Sequence, residues 1–159
     1  MSVSLSEHSS PPKLAKIDCI SEDAIRRLID GFYAKVRADH ELAPIFANAI
    51  PDDAWEPHLA KMRDFWSSVM LTTGRYKGNP VAVHMAVAHL EPHLFSRWLE
   101  LFGETCGELF EDDIAAAFRA KAVRIAHSLK LALYYRPTKK PSSPASASTR
   151  SRDARGTHG

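Results

Sequence analysis

The sequence predicts an all-α domain. Apolar residues recur at spacings of three and four in several separate stretches, and no stretch shows the period-two alternation of a strand. No two-residue hairpin signal joins a pair of strand-like runs. With 159 residues, 45% hydrophobic and 25% charged, the chain is long enough for one domain with a sizeable core and short for two.

Residues 1–16 are rich in Ser and Pro without periodicity and read as a loose leader. Ser21 then has the character of a helix N-cap, with Glu22 and Asp23 placed to complement the helix dipole. Ile25, Leu28, Ile29, Phe32, Tyr33 and Val36 mark one buried face of a helix ending near Asp39 and His40. Leu42, Pro44, Ile45 and Phe46 form an apolar knot, read as a single helical turn with Phe46 directed inward. Asp53 and Glu56 have capping-box spacing, so a helix is expected to start between them and run to Leu71. Its apolar positions are Leu59, Met62, Phe65, Trp66 and Val69, and His58 shares a face with Met62 and Trp66.

Residues 72–80 read as a loop by composition. His84 follows in a short apolar run between the Gly78-Asn79-Pro80 break and the Glu91-Pro92 step. A strongly amphipathic helix from Pro92 to Phe110 carries Phe95, Trp98, Leu99, Phe102, Cys106 and Leu109 on one stripe. Glu111, Asp112 and Asp113 open a last helix whose inward face is read as Ile114, Phe118, Val123, Ile125, Leu129, Leu133 and Tyr134. It ends at Arg136-Pro137. Residues 138–159, rich in Pro, Ser, Ala and Arg, read as a disordered tail. The organisation expected is a leader (1–16), one helical domain (17–137) and a basic tail (138–159).

The formal charge of +2 is unevenly distributed. From Pro137 onward Lys139, Lys140, Arg150, Arg152 and Arg155 stand against Asp153, a balance of +4, which leaves −2 for the rest. The basic character therefore belongs to the tail, and no nucleic-acid partner is expected. Cys19 and Cys106 are too few and too far apart for a disulfide framework and suit a reducing cytoplasm. No signal peptide is visible and no apolar run could span a bilayer, so the expectation is a cytoplasmic protein without a membrane partner. Gly-rich phosphate loops, Cys-x-x-Cys pairs and His-Glu-x-x-His helices do not occur.

Four polar side chains fall at inward positions of four separate segments: Tyr33, His58, His84 and Trp98. Taken singly, each is best read as a core residue that finds a hydrogen-bond partner, because an unpaired buried donor costs roughly 1–3 kcal/mol. Taken together they suit a flat apolar cofactor with a metal at its centre. Such a group needs one imidazole below it, aromatic walls, and a few donors above it that face a bound diatomic molecule, which is the ligation logic of haem.

The runs that carry these residues resemble a known family. Gly31-Phe32-Tyr33-Ala34-Lys35-Val36 and Leu42-Ala43-Pro44-Ile45-Phe46 are similar to the first main helix and the following turn of truncated haemoglobins. Trp55-x-x-His58, Phe65-Trp66, His84, Glu91-Pro92 and Phe95-x-x-Trp98-Leu99-x-Leu101-Phe102 resemble the third group of that family. The likeness runs from about Ile20 to Tyr135 in the right order. It implies a two-over-two helical sandwich around haem b, with His84 as the iron ligand. It further implies that Tyr33, Trp98 and His58 face a distal ligand, with His58 at the gate. Phe46 would pack on the porphyrin edge, Phe32 and Met62 would line the distal pocket, and Phe65 and Trp66 would be wall or core. The implied ligands are O2, NO and CO. The implied role is oxygen, NO or peroxide redox chemistry, such as NO dioxygenase or peroxidase-like activity with an external electron donor, rather than bulk transport.

The chain departs from the family between His84 and Glu91, where Met85-Ala86-Val87-Ala88-His89 replaces a Leu/Pro-rich link. This leaves His89 and His93 as alternative axial ligands. Neither shares a helix face with His84, as a helical zinc site would favour. Glu91 is the one nearby carboxylate, and the sequence does not place it against His84. The competing reading is a haem-free helical module that binds a partner or a small apolar ligand, with Tyr33, His58 and Trp98 as satisfied core residues.

Overall fold

The structure is a computed structural model that describes residues 14–135. The expected tail, and all of the expected leader except residues 14–16, lie outside the described residues. Six α-helices follow one another: α1 (Glu22–Ala38), α2 (Ala43–Ala49), α3 (Trp55–Leu71), α4 (Pro80–Met85), α5 (Pro92–Leu109) and α6 (Asp112–Tyr134). A 3₁₀ turn at Asp52–Ala54 leads into α3.

Helix α1 starts where its cap requires: the Ser21 hydroxyl accepts the Ala24 amide at 3.1 Å. Its buried face is Ala24, Ile25, Leu28, Ile29, Phe32, Tyr33 and Val36. The next turn is pinned by Asp39, whose carboxylate accepts the backbone N–H groups of Leu42 (3.1 Å) and Glu41 (3.3 Å). Arg97 on α5 donates to the other Asp39 oxygen at 2.7 and 3.0 Å. Those bonds hold the Asp39 carboxyl below its usual range and clamp the start of α2 to α5.

The expected capping box does not form. Pro51 opens the 3₁₀ turn, so Ala54 occupies the cap of α3 without a side-chain bond. Glu56 pairs instead with Arg63 at 2.6 Å.

The pair α1–α3 lies on the pair α5–α6, with α1 packed against both α3 and α5, and α4 rests on α6. This is the all-α, two-over-two arrangement. Its centre is aromatic: Phe102 stacks between Trp66 (4.8 Å) and Trp98 (5.1 Å), while Phe118 stacks on Phe110 (4.8 Å). Where the leader joins the domain, the Ile17 N–H donates to the Leu109 carbonyl (2.8 Å) and its carbonyl accepts from Glu111 (3.0 Å).

One face differs from expectation. The inner side of α6 is Ala115, Phe118, Ala122, Ala126 and Leu129, whereas Val123 is exposed and Tyr134 lies at the rim. Phe118 and Leu129 are buried as read, and Ile114, Ile125 and Leu133 pack half-buried at the edges of that face, while Ala115, Ala122 and Ala126 fill the positions between them.

Candidate functional site

Two groups of side chains carry the chemistry. The first is gathered by α1, α2 and α3. Consecutive residues Phe32 and Tyr33 both point inward where α1 faces its neighbours, and both are buried. Around the Tyr33 ring stand His58 (5.1 Å, perpendicular), Phe46 (5.9 Å) and Trp55 (6.1 Å). Trp98 of α5 meets Phe32 edge-on at 5.1 Å, which brings an indole N–H into the same neighbourhood. Met62 follows His58 by one helical turn and is half-buried against the core. Phe65 and Trp66 pack edge to face, Trp66 in the core and Phe65 half-buried against Tyr76.

Desolvation marks two members of this group. Burial raises the Tyr33 phenol well above its usual value, so it stays a protonated donor across the physiological range. Burial, with a smaller push from Lys61, drives the His58 imidazole down to about 4. The His58 Nε2 atom is buried with no hydrogen-bond partner among the described residues. An orphaned polar atom carries a cost of about 1–3 kcal/mol and calls for a guest to satisfy it. A cleft of about 200 Å³ opens beside it, lined by Ala49, Ile50, Pro51, Ala54, Pro57, His58 and Lys61.

The second group surrounds His84. Asn79 caps α4 by accepting the Ala82 amide at 3.2 Å, and Pro80 takes the first turn, where its missing N–H and fixed φ are suited. Four residues later the His84 Nδ1 sits 2.6 Å from the Pro80 carbonyl oxygen. A carbonyl only accepts, so Nδ1 must carry the proton and the Nε2 lone pair is left free. The ring lies 6.1 Å from Phe95, nearly parallel to it. A cleft of about 180 Å³ is lined by His84, Met85, Val87, Leu90, Leu133 and Tyr134.

His89 and His93 stand elsewhere. His93 is exposed and paired with Glu91 at 3.2 Å, and His89 is exposed in the link to α5 with φ of 59°. That left-handed conformation is uncommon for a residue with a Cβ. Glu91 is therefore the partner of His93, and the group bonded to His84 is a backbone carbonyl. Among the described residues no three His, Cys, Asp or Glu side chains converge on a metal-sized site, so a metal here would rely on one imidazole plus a cofactor.

The two groups meet along α5, where Phe95 beside His84 and Trp98 beside Phe32 are one turn apart. Three contributors were not singled out as site residues from the sequence: Trp55, which walls Tyr33 and His58; Phe95; and the Pro80 carbonyl. Trp55 and Phe95 were legible as motif members, and the carbonyl left no signal in residue types.

No protein-family model matches the chain. A curated relative, a group 3 truncated haemoglobin of Campylobacter jejuni, is 34% identical over 121 residues, covering 75% of this chain and 95% of the relative. The crystal structure of a group III truncated haemoglobin from Campylobacter jejuni superposes with a TM-score of 0.72 at 33% identity, covering 76% of this chain and 97% of that one.

Proposed function

The chain belongs to the group III truncated haemoglobins, and from that premise we propose that it holds haem b through His84 and binds diatomic ligands such as O2, NO or CO. The observation that carries the reading is the 2.6 Å bond from His84 Nδ1 to the Pro80 carbonyl. It fixes the tautomer and the ring orientation, and it presents a basic Nε2 to a metal. The residues present fit the cofactor: His84 would hold it through its free imidazole nitrogen, and Tyr33, Trp98 and His58 would supply a buried phenol, an indole and an imidazole nitrogen with no partner among the described residues. When bound, haem supplies an iron with an open coordination position.

The chain's own side chains set what happens near that position. Tyr33, kept protonated by burial, donates an O–H, and Trp98 can only donate. His58, neutral at physiological pH, offers the polar atom that lacks a partner and stands at the cleft between α2 and α3. Phe32, Phe46 and Met62 supply apolar wall that excludes water. Each hydrogen bond to a guest in such a dry site contributes on the order of 1–2 kcal/mol, and 1.4 kcal/mol is tenfold in a dissociation constant. Two donors therefore favour retention over delivery. This supports redox use of oxygen, NO or peroxide, with electrons from an external donor, over bulk transport.

The test is the absorption spectrum with haemin for the wild-type and His84→Ala chains. A Soret band that shifts with dithionite and carbon monoxide, and is lost or altered in the variant, supports the reading. An unchanged band in the variant moves the axial role to His89 or His93. No band in either chain removes the haem reading and leaves a helical binding module.

A further inference from the structure

We propose that the outer face of α6, with the rim of α4, docks the protein on an anionic phospholipid surface. Two independent features coincide there. After Asp113 helix α6 carries no carboxylate, and Lys121, Arg124 and Lys130 lie on it apart from Arg119, which donates to the Gly103 carbonyl on α5. The exposed large apolar side chains gather in the same place. Among the described residues, all but Leu14 lie on α4, on α6 or at its end: Val83, Met85, Val123 (54% exposed), Leu131 (48%), Tyr134 and Tyr135 (69%).

Helical spacing sorts these into two neighbouring stripes. Arg124, Leu131 and Tyr135 form one, and Val123, Lys130 and Tyr134 form the other. Cations and apolar groups thus alternate along one exposed face.

A soluble polyanion would satisfy the cations and leave Val123 and Leu131 in water. A second copy would set like charge against like charge. An anionic headgroup layer backed by hydrocarbon accommodates both kinds of side chain, with Tyr134 and Tyr135 at the depth where amphipathic rings settle. The carboxylate that bears on this rim is Glu91, which helps raise the Tyr134 phenol and is itself paired with His93. No described helix is long and apolar enough to cross a membrane, so the contact is interfacial. A chain without a spanning run can still lie on a membrane surface. On the haem reading above, docking brings the His84 cleft, which shares Met85 and Tyr134 with this face, toward the layer where apolar gases dissolve best. The docking itself does not depend on that reading.

The test is flotation of the full-length, haem-loaded chain with vesicles of phosphatidylcholine, with and without phosphatidylserine, across a salt series. Wild type should float with the phosphatidylserine vesicles at low salt and be released as salt rises. The triple variant Lys121→Glu, Arg124→Glu, Lys130→Glu should lower the partition by a hundredfold or more, from about fivefold per charge neutralised. The pair Leu131→Ala, Tyr135→Ala should lower it about tenfold while leaving the salt response unchanged. Lys121, Arg124, Leu131 and Tyr135 are exposed and Lys130 is half-buried, so the fold should survive, which circular dichroism checks. Equal flotation with both vesicle types overturns the proposal, as does undiminished binding by the triple variant. Loss in the triple variant with no loss in the apolar pair overturns it, because the contact would then be electrostatic alone and the exposed apolar side chains would take no part.

Discussion

Tyr33, Phe46, Trp55 and His58 stand edge to face on three elements, with Tyr33 and Trp55 in the core, whereas His84 rides on a six-residue helix between two loops. The first group inherits rigidity from long amphipathic helices, because Phe32 and Trp98 are also contacts of Phe102 at the centre of the domain. The second is specified locally, by one cap, one proline and one backbone carbonyl. Core packing is thus concentrated around the Tyr33 group, and the His84 group, proposed to bind iron, is left to short-range geometry.

The largest effect should follow from cutting the link between the Tyr33 group and the core. Phe102→Ala removes a fully buried ring and should cost about 3–5 kcal/mol, read as a fall in denaturation midpoint. In the haem-free chain His84→Ala, at a half-buried position, should stay within about 1 kcal/mol. Equal costs for the two variants would break the comparison.

A smaller effect tests the orphaned imidazole. Burial depresses His58 from its usual 6.5 to about 4, so the unfolded chain takes up the proton more readily than the folded one. The stability associated with neutral His58 is present above about pH 6.5 and is lost as pH falls toward 4. In the haem-free chain, His58→Leu should flatten melting temperature against pH in that window and should not destabilise the fold at neutral pH. A wild-type curve with no slope there would show that the ring is not desolvated.

The smallest global effect belongs to the other side. Asn79→Ala removes the cap of α4 and should cost about 1 kcal/mol locally, with little change in overall melting. Because that helix aims His84, the same change should speed haem loss to an excess of a haem-scavenging globin by about fivefold. A variant that releases haem at the wild-type rate would mean that α4 is held by its packing on α6 rather than by its own cap.

Much of this was legible in the chain. The Ser21 cap and the α1 face follow from adjacent residues, and the structure repeats them position by position. The misreadings have physical causes. Val123 is more apolar than Ala122, yet α6 turns Ala122 inward because Ala122 shares the helical face of the buried Phe118, Ala126 and Leu129, and Val123 lies off it. Asp53 and Glu56 have the right spacing for a capping box, but Pro51 commits the backbone to a 3₁₀ turn first. The sequence marks Trp55 as a motif member and gives it no site role, because its contact with Tyr33 depends on how α3 crosses α1.

By itself the sequence determined the main helices, the buried face of α1 and the four segments that bear Tyr33, His58, His84 and Trp98, since caps and apolar periodicity act over one or two turns. Tertiary structure alone decided that His58 Nε2 is left without a partner among the described residues, that Tyr33 is desolvated, and that the outward face of α6 is apolar as well as basic. These depend on which surfaces of separate helices come together and shut out water, and burial of that kind is a property of the packed whole rather than of any local run of residues.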